Sequence, residues 1–151
     1  MVGDQSVLGW GLNLSSGLNV FGKDSLQAQV TYGEGIFRFS NDDFFNNDAA
    51  FDSSGDLQAL PYFGVMFGYT HRWSDFLRST ASYGYVNLDN EFSQAPDAYH
   101  KTHYASGNLI YQLTRRLSIG LEGLYGKREV KSGAEGEAWR IQAGLVYWLW
   151  E

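Results

Sequence analysis

Cysteine is absent from this chain of 151 residues, proline occurs only twice, and no run of apolar residues approaches the roughly 18 that a membrane-spanning helix requires. Without cysteine there is no disulfide framework and no thiolate metal centre, which fits passage through an oxidising periplasm by a protein that needs no disulfides. Basic residues are scarce as well: 11 Lys and Arg stand against 17 Asp and Glu, and the formal net charge of −6 argues against a general nucleic-acid binder. Gly33-Glu34-Gly35 lacks the third glycine and following helix of a nucleotide fingerprint, so its glycines read as strand kinks.

In excess are glycine, with 18 residues, and aromatic side chains, at 17%; an ordinary soluble domain averages about 7% glycine. They fall into strict alternation. Leu117, Ile119, Leu121, Gly123 and Tyr125 form one face of a strand, and Ser118, Gly120, Glu122, Leu124 and Gly126 the other. After a polar break over residues 131–137 the pattern resumes, with Trp139, Ile141, Ala143, Leu145 and Tyr147 against Arg140, Gln142, Gly144 and Val146. A soluble sandwich also alternates, but with shorter strands and without Tyr and Trp at the ends of the apolar stripe. Strands of about 9 to 11 residues with an aromatic girdle at each interface suit a lipid bilayer. Low mean hydropathy is no objection, because only alternate residues of such a strand meet lipid.

From the amino terminus, a first strand is expected from Leu8 to Val20, a tight turn at Gly22 to Ser25, and a second strand over 26–33. Residues 38–60 break the alternation with Asp42, Asp43, Asp48, Asp52 and Asp56 and read as a long acidic loop. A third strand (63–72), a weaker fourth (77–85), a second long loop (88–101) containing Pro96, and a fifth strand (102–113) precede the hairpin above. Connections alternate short and long, as periplasmic turns and external loops do in outer-membrane barrels. The expected fold is an all-β, antiparallel transmembrane barrel with about 7–8 strands per chain, forming a single domain over 1–151. No leader precedes Val2, so Met1 is expected to mark a processing boundary.

The series GWGLNLSSGLNVFGKDSLQAQVTYGEGI, RSTASYGYVNLDN, QAPDAYHKTHYASGNLIY and LEGLYGKREVKSGAEGEAWRIQ resembles the carboxy-terminal portion of the DcaP-like porins of Gram-negative outer membranes. The resemblance runs through nearly the whole chain. It implies a barrel that assembles as a trimer and passes small anionic solutes such as dicarboxylates. Such porins are far longer than this chain and typically end in Phe, whereas Trp150 is followed here by Glu151. Seven strands closing on themselves would set the first and last strands parallel, which is unusual in bacterial barrels. Either an extra strand lies before Leu8, or the chain is a piece of a larger barrel, or several chains share one. Size decides function, because about eight strands enclose an interior filled by side chains, whereas water-filled porins need about 16 to 18.

The inward face carries Arg72, Arg78, Arg128 and Arg140, with Glu122 as the one acid at a clear inward position. Arg128 and Arg140 flank one hairpin and could converge on a carboxylate through planar guanidinium groups; alternatively, these charges satisfy one another within a narrow lumen. Trp10, Tyr32, Tyr69, Tyr85, Tyr111, Tyr125, Trp139 and Tyr147 are the expected lipid-interface aromatics. His100 and His103 fall short of the convergent donors of a metal site, so no metal and no cofactor is expected. His103 with Ser79 or Ser106 has no spacing that marks a catalytic pair, and a girdle histidine is the expectation. The acidic loop reads as solvated, with cation bridging to lipopolysaccharide as the alternative. The functional expectation is an outer-membrane, non-enzymatic pore for small anions, in contact with bilayer and lipopolysaccharide and able to form a homo-oligomer. The alternative is a closed, porin-derived barrel that transports nothing.

Overall fold

The computed structural model describes residues 5–39 and 48–149. Nine strands appear among them: β1 (Trp10–Val20), β2 (Asp24–Glu34), β3 (Ala49–Phe51), β4 (Leu57–Ala59), β5 (Pro61–Arg72), β6 (Leu77–Leu88), β7 (Tyr99–Gln112), β8 (Leu117–Val130) and β9 (Glu135–Tyr147). The seven long strands form one sheet in the order β1-β2-β5-β6-β7-β8-β9, every neighbouring pair antiparallel, and β3–β4 is a separate hairpin. At 11 to 14 residues each, the long strands reach across a hydrocarbon core even when tilted.

Alternation along each strand becomes two faces only where the register does not slip by one residue, and the ladders meet that condition everywhere except the outer end of β7, between Tyr99 and Lys101. One row runs Ser16, Ala28, Phe67, Tyr83, Ala105, Tyr125, Trp139; another runs Asn19, Ser25, Thr70, Thr80, Asn108, Glu122, Gln142. The first face is apolar and left bare by the chain's own packing, with Leu12 71% and Ile141 81% exposed. A bare apolar face of this extent requires another apolar phase to cover it. The second face is polar or small.

The weak fourth strand of the sequence is a full 12-residue strand, β6, whose Thr80 and Ser82 line the polar face. The first turn starts at Phe21, where Phe21 and Gly22 adopt φ of 48° and 85°, and Asp24 already belongs to β2. Asp24 is held there by three donors from β5: Tyr69 hydroxyl at 2.6 Å, His71 Nδ1 at 2.7 Å and Arg72 N–H at 2.9 Å.

Two expectations need correction. The strand predicted from Leu8 begins at Trp10, and residues 5–9 form no strand, so the extra strand is not found among the described residues. The acidic loop is folded rather than open: a 3-10 turn (Phe37–Phe39) and the β3–β4 hairpin occupy it, while Asp42 and Asp43 lie outside the described residues. Edges β1 and β9 carry no partner among the described residues, and both run toward the short-turn side, so the seven strands do not close a barrel.

Candidate functional site: the inner wall and its mouth

Hydroxyl and amide pairs cross the inner face between neighbouring strands. Asn13 donates to Thr31 at 2.6 Å, Thr70 meets Thr80 at 2.9 Å, Ser82 meets Ser106 at 2.6 Å, and Gln142 donates to Glu122. The first three pairs fix side-chain directions without adding charge; Glu122 keeps its negative charge, so the field on this wall is set by four arginines against one carboxylate.

All four arginines fall on this face, at three levels. Arg72 and Arg78 are direct cross-strand partners near the short turns. Arg140 stands mid-wall opposite Leu124, and Arg128 stands near the outer end opposite Gly136. Four ladder steps separate Arg128 from Arg140, about 13 Å along the strand, so the structure does not bring these two together. Among the described residues none of the four has a carboxylate within ion-pair distance. Arg128 instead lies over the Tyr99 ring, 5.3 Å from its centroid.

Toward the outer end the connecting segments fold inward over the wall. Ile36 rests on Gly11 and Gly33: a Cβ at Gly33 would stand 2.2 Å from the Trp10 carbonyl oxygen and 2.9 Å from the Ile36 side chain, so only glycine permits this approach. Phe37, Ala50, Leu60, Tyr62, Leu88 and Tyr99 form the buried cluster, with Phe37, Leu60 and Leu88 fully covered. Asp48 closes the segment by accepting the Arg38 N–H at 2.8 Å and pairing with its guanidinium. Asp52 accepts the N–H groups of Ser54 and Asp56, and these bonds, chiefly that from Asp56, hold its carboxyl below the ordinary carboxylate range. Asp48 and Asp52 are thus structural acceptors rather than free solvated charges.

A cavity of about 1080 Å³ opens beside this cluster, lined by Gln94, Asp97, Tyr99, Thr102, Arg128 and the start of β9. A register shift between Tyr99 and Lys101 turns Tyr99 into it, and His100 leaves the ladder to donate from Nδ1 to the Leu88 carbonyl at 3.0 Å. Sequence reading missed Tyr62, Leu88 and Tyr99 as site residues, because the inward-folded segments, not strand parity, decide what they touch.

On the opposite face the eight aromatics fall into two bands. Trp10 and Tyr32 (5.8 Å, edge-on), Tyr85, and Tyr125 with Trp139 (4.5 Å) lie toward the long-loop end; Tyr69, Tyr111 and Tyr147 lie toward the short turns. His103 sits in the outer band, 4.9 Å from Tyr85 and hydrogen-bonded to the Tyr83 hydroxyl at 2.8 Å. Ser106 lies on the other face, bonded to Ser82, and Ser79 accepts from Trp73 Nε1 at 3.0 Å.

An antiparallel sheet of membrane-crossing strands, apolar outside between two aromatic bands and polar inside under folded loops, is the wall of an outer-membrane β-barrel. Residues 2–147 match the DcaP outer membrane protein family, and the chain belongs to that family and to the bacterial outer membrane. The fold is similar to that of the outer membrane channel DcaP of Acinetobacter baumannii, with a TM-score of 0.78 at 24% identity over 92% of this chain and 40% of that one. A stretch covering 48% of the chain is 34% identical to cellulose synthase 2 operon protein C of Komagataeibacter xylinus, where it covers 7% of that protein. The chain therefore spans less than half the length of either relative. Its family and this structural neighbour are outer-membrane channels.

Proposed function

We propose that the chain is one section of the wall of a larger barrel that lets small anionic solutes, such as dicarboxylates, diffuse across the outer membrane. Seven strands that begin and end in the same direction need an odd number of further strands for an antiparallel closure, whether from the same polypeptide or from partner chains. A water-filled lumen needs about 16 to 18 strands in all. The observation that carries the reading is the set of four inner-wall arginines without carboxylate partners among the described residues, while Glu122 is engaged by Gln142. Unpaired guanidinium groups on a low-dielectric wall concentrate anions and bind carboxylates in a planar, two-point fashion. The aromatic bands would anchor the wall in the bilayer, with lipopolysaccharide against the outer one.

A second reading, a closed barrel that conducts nothing, draws on the apolar cluster covering the inner face at its outer end. Reversal potentials in planar bilayers under a salt gradient separate the two. Anion preference that weakens as salt rises supports the pore; a correctly assembled sample without current supports the closed barrel, and cation preference rejects the arginine wall.

A further inference from the structure

Lys131 lies in the short turn between β8 and β9, where a lysine ordinarily serves as a solvated mouth charge. Here its ammonium donates to three backbone carbonyls of one neighbouring loop: Glu91 at 2.7 Å, Phe92 at 2.9 Å and Gln94 at 2.7 Å. An ammonium has three N–H donors, so all are engaged. The backbone of the same turn continues the attachment, with Lys131 N–H donating to Ala98 O and Ser132 N–H to Pro96 O, both at 2.9 Å. The loop so held ends at Tyr99, the ring beneath Arg128 and part of the wall of the 1080 Å³ cavity. Across the mouth, Ser93 joins the loop to the β3–β4 hairpin: Phe51 N–H donates to Ser93 Oγ at 2.8 Å and Ser93 N–H to Phe51 O at 3.1 Å.

We infer that Lys131 is a positioning residue for carboxylate binding at the mouth, acting by fastening loop 89–98 so that Tyr99 holds the Arg128 guanidinium facing the cavity. This rests on the anion-channel reading. Its charge is directed into the loop's carbonyls, so what it gives the site is geometry rather than attraction. Removing the side chain leaves three carbonyl oxygens without their donor, and a small primary ammonium ion fits the vacated niche.

The test compares wild type, Lys131→Ala, Lys131→Gln and Lys131→Arg in the full protein purified from membranes. Two quantities are read: amide hydrogen exchange over residues 90–99, and the succinate concentration that halves chloride current. Lys131→Ala should speed exchange by about tenfold, the least expected when hydrogen bonds to a charged group are lost, and should raise the half-blocking succinate concentration severalfold. Propylammonium, which restores the missing atoms, should reverse both changes; tetramethylammonium, which has no N–H, should reverse neither. Lys131→Arg should fall between wild type and Lys131→Ala. If Lys131→Ala fails to assemble, Lys131→Gln gives the same two readings. Unchanged exchange overturns the fastening, and faster exchange with unchanged succinate block overturns the positioning role. Weaker block rescued equally by both ammonium ions would mean that Lys131 acts through charge. Exchange is read independently of current, so loss of the anion-channel reading, visible as no wild-type current, is distinct from loss of the fastening.

Discussion

Arg72 stands directly opposite Arg78 across the β5–β6 ladder, two cations in register on the inner face with only the turn between them. The turn's one acid, Asp75, does not form an ion pair with either; it pairs with Lys23, whose hydrogen bond and charge hold the Asp75 carboxyl below its ordinary range, with Arg72 adding the smallest part. Like charges facing each other weaken an antiparallel pair by about 0.2 to 1 kcal/mol. Arg78→Ser should therefore raise stability by that order in a urea unfolding titration while lowering anion preference. A loss of stability would show that the pair is held by anions or by neighbouring strands.

The two faces of β8 and β9 give a second expectation. Leu145 is on the lipid side and Gly144 on the inner side, where an added Cβ meets nothing within 4 Å. Leu145→Arg, between the midplane and the Tyr147 band, should cost about 1 to 3 kcal/mol in refolding, between the values for a cation at the interface and at the midplane. Gly144→Arg should leave stability close to wild type and reduce conductance instead. Equal effects on stability would contradict the assignment of faces.

The β8–β9 hairpin was legible residue by residue, because period two translates directly into faces once the register holds: Leu121 pairs with Ala143 and Tyr125 with Trp139 as the alternation implies. The arginines' side of the wall followed from the same parity, but their spacing did not, since opposite residues depend on where the turn sits. The mouth was not legible. Strands of three residues, as in β3 and β4, are too short for a period to show, and Asp48 among other acids looks solvated until Arg38 folds back onto it. Lys131 resembles any turn lysine, because its partners lie 37 to 40 residues away in sequence.

Close approach of the β1 backbone, with Ile36 of the first loop beside it, makes Gly33 sensitive. An alanine there would press on the Trp10 carbonyl and on Gly11 Cα, both backbone atoms, whereas Gly17, farther down the same inner face, has open space. Gly33→Ala should destabilise by about 1 to 3 kcal/mol, the usual range for overpacking, and Gly17→Ala should be near neutral. Comparable thermal unfolding midpoints for the two variants would refute the close approach of the β1 backbone and Ile36 to Gly33.

The β3–β4 hairpin should respond to acid through Asp52. Its carboxyl is held low by N–H donors within the hairpin's own turn, so the folded form binds a proton less readily than the unfolded one. The stabilisation is then present above the ordinary aspartate value of about 3.9 and is lost as pH falls through the lowered folded value. Amide exchange of residues 49–59, corrected for its intrinsic pH dependence, should show protection falling over that window. Asp52→Asn should have lower protection at neutral pH and no such step.

The separation of Arg128 and Arg140 leads to a test of how the wall handles a carboxylate. Groups more than about 7 to 10 Å apart without shared partners contribute additively, whereas groups acting on one ligand together do not. These two arginines stand four ladder steps apart, and Arg128 is engaged by Tyr99 while Arg140 faces Leu124. A solute would meet them in succession, so Arg128→Ala, Arg140→Ala and the double variant should lower anion preference by amounts that add in free energy. Reversal potentials measured on all four proteins at one salt concentration give the comparison, with refolding midpoints as the control. A double variant no worse than the more damaging single one would mean that a bound carboxylate bridges the two, through a change in the β8–β9 hairpin that closes the gap between them.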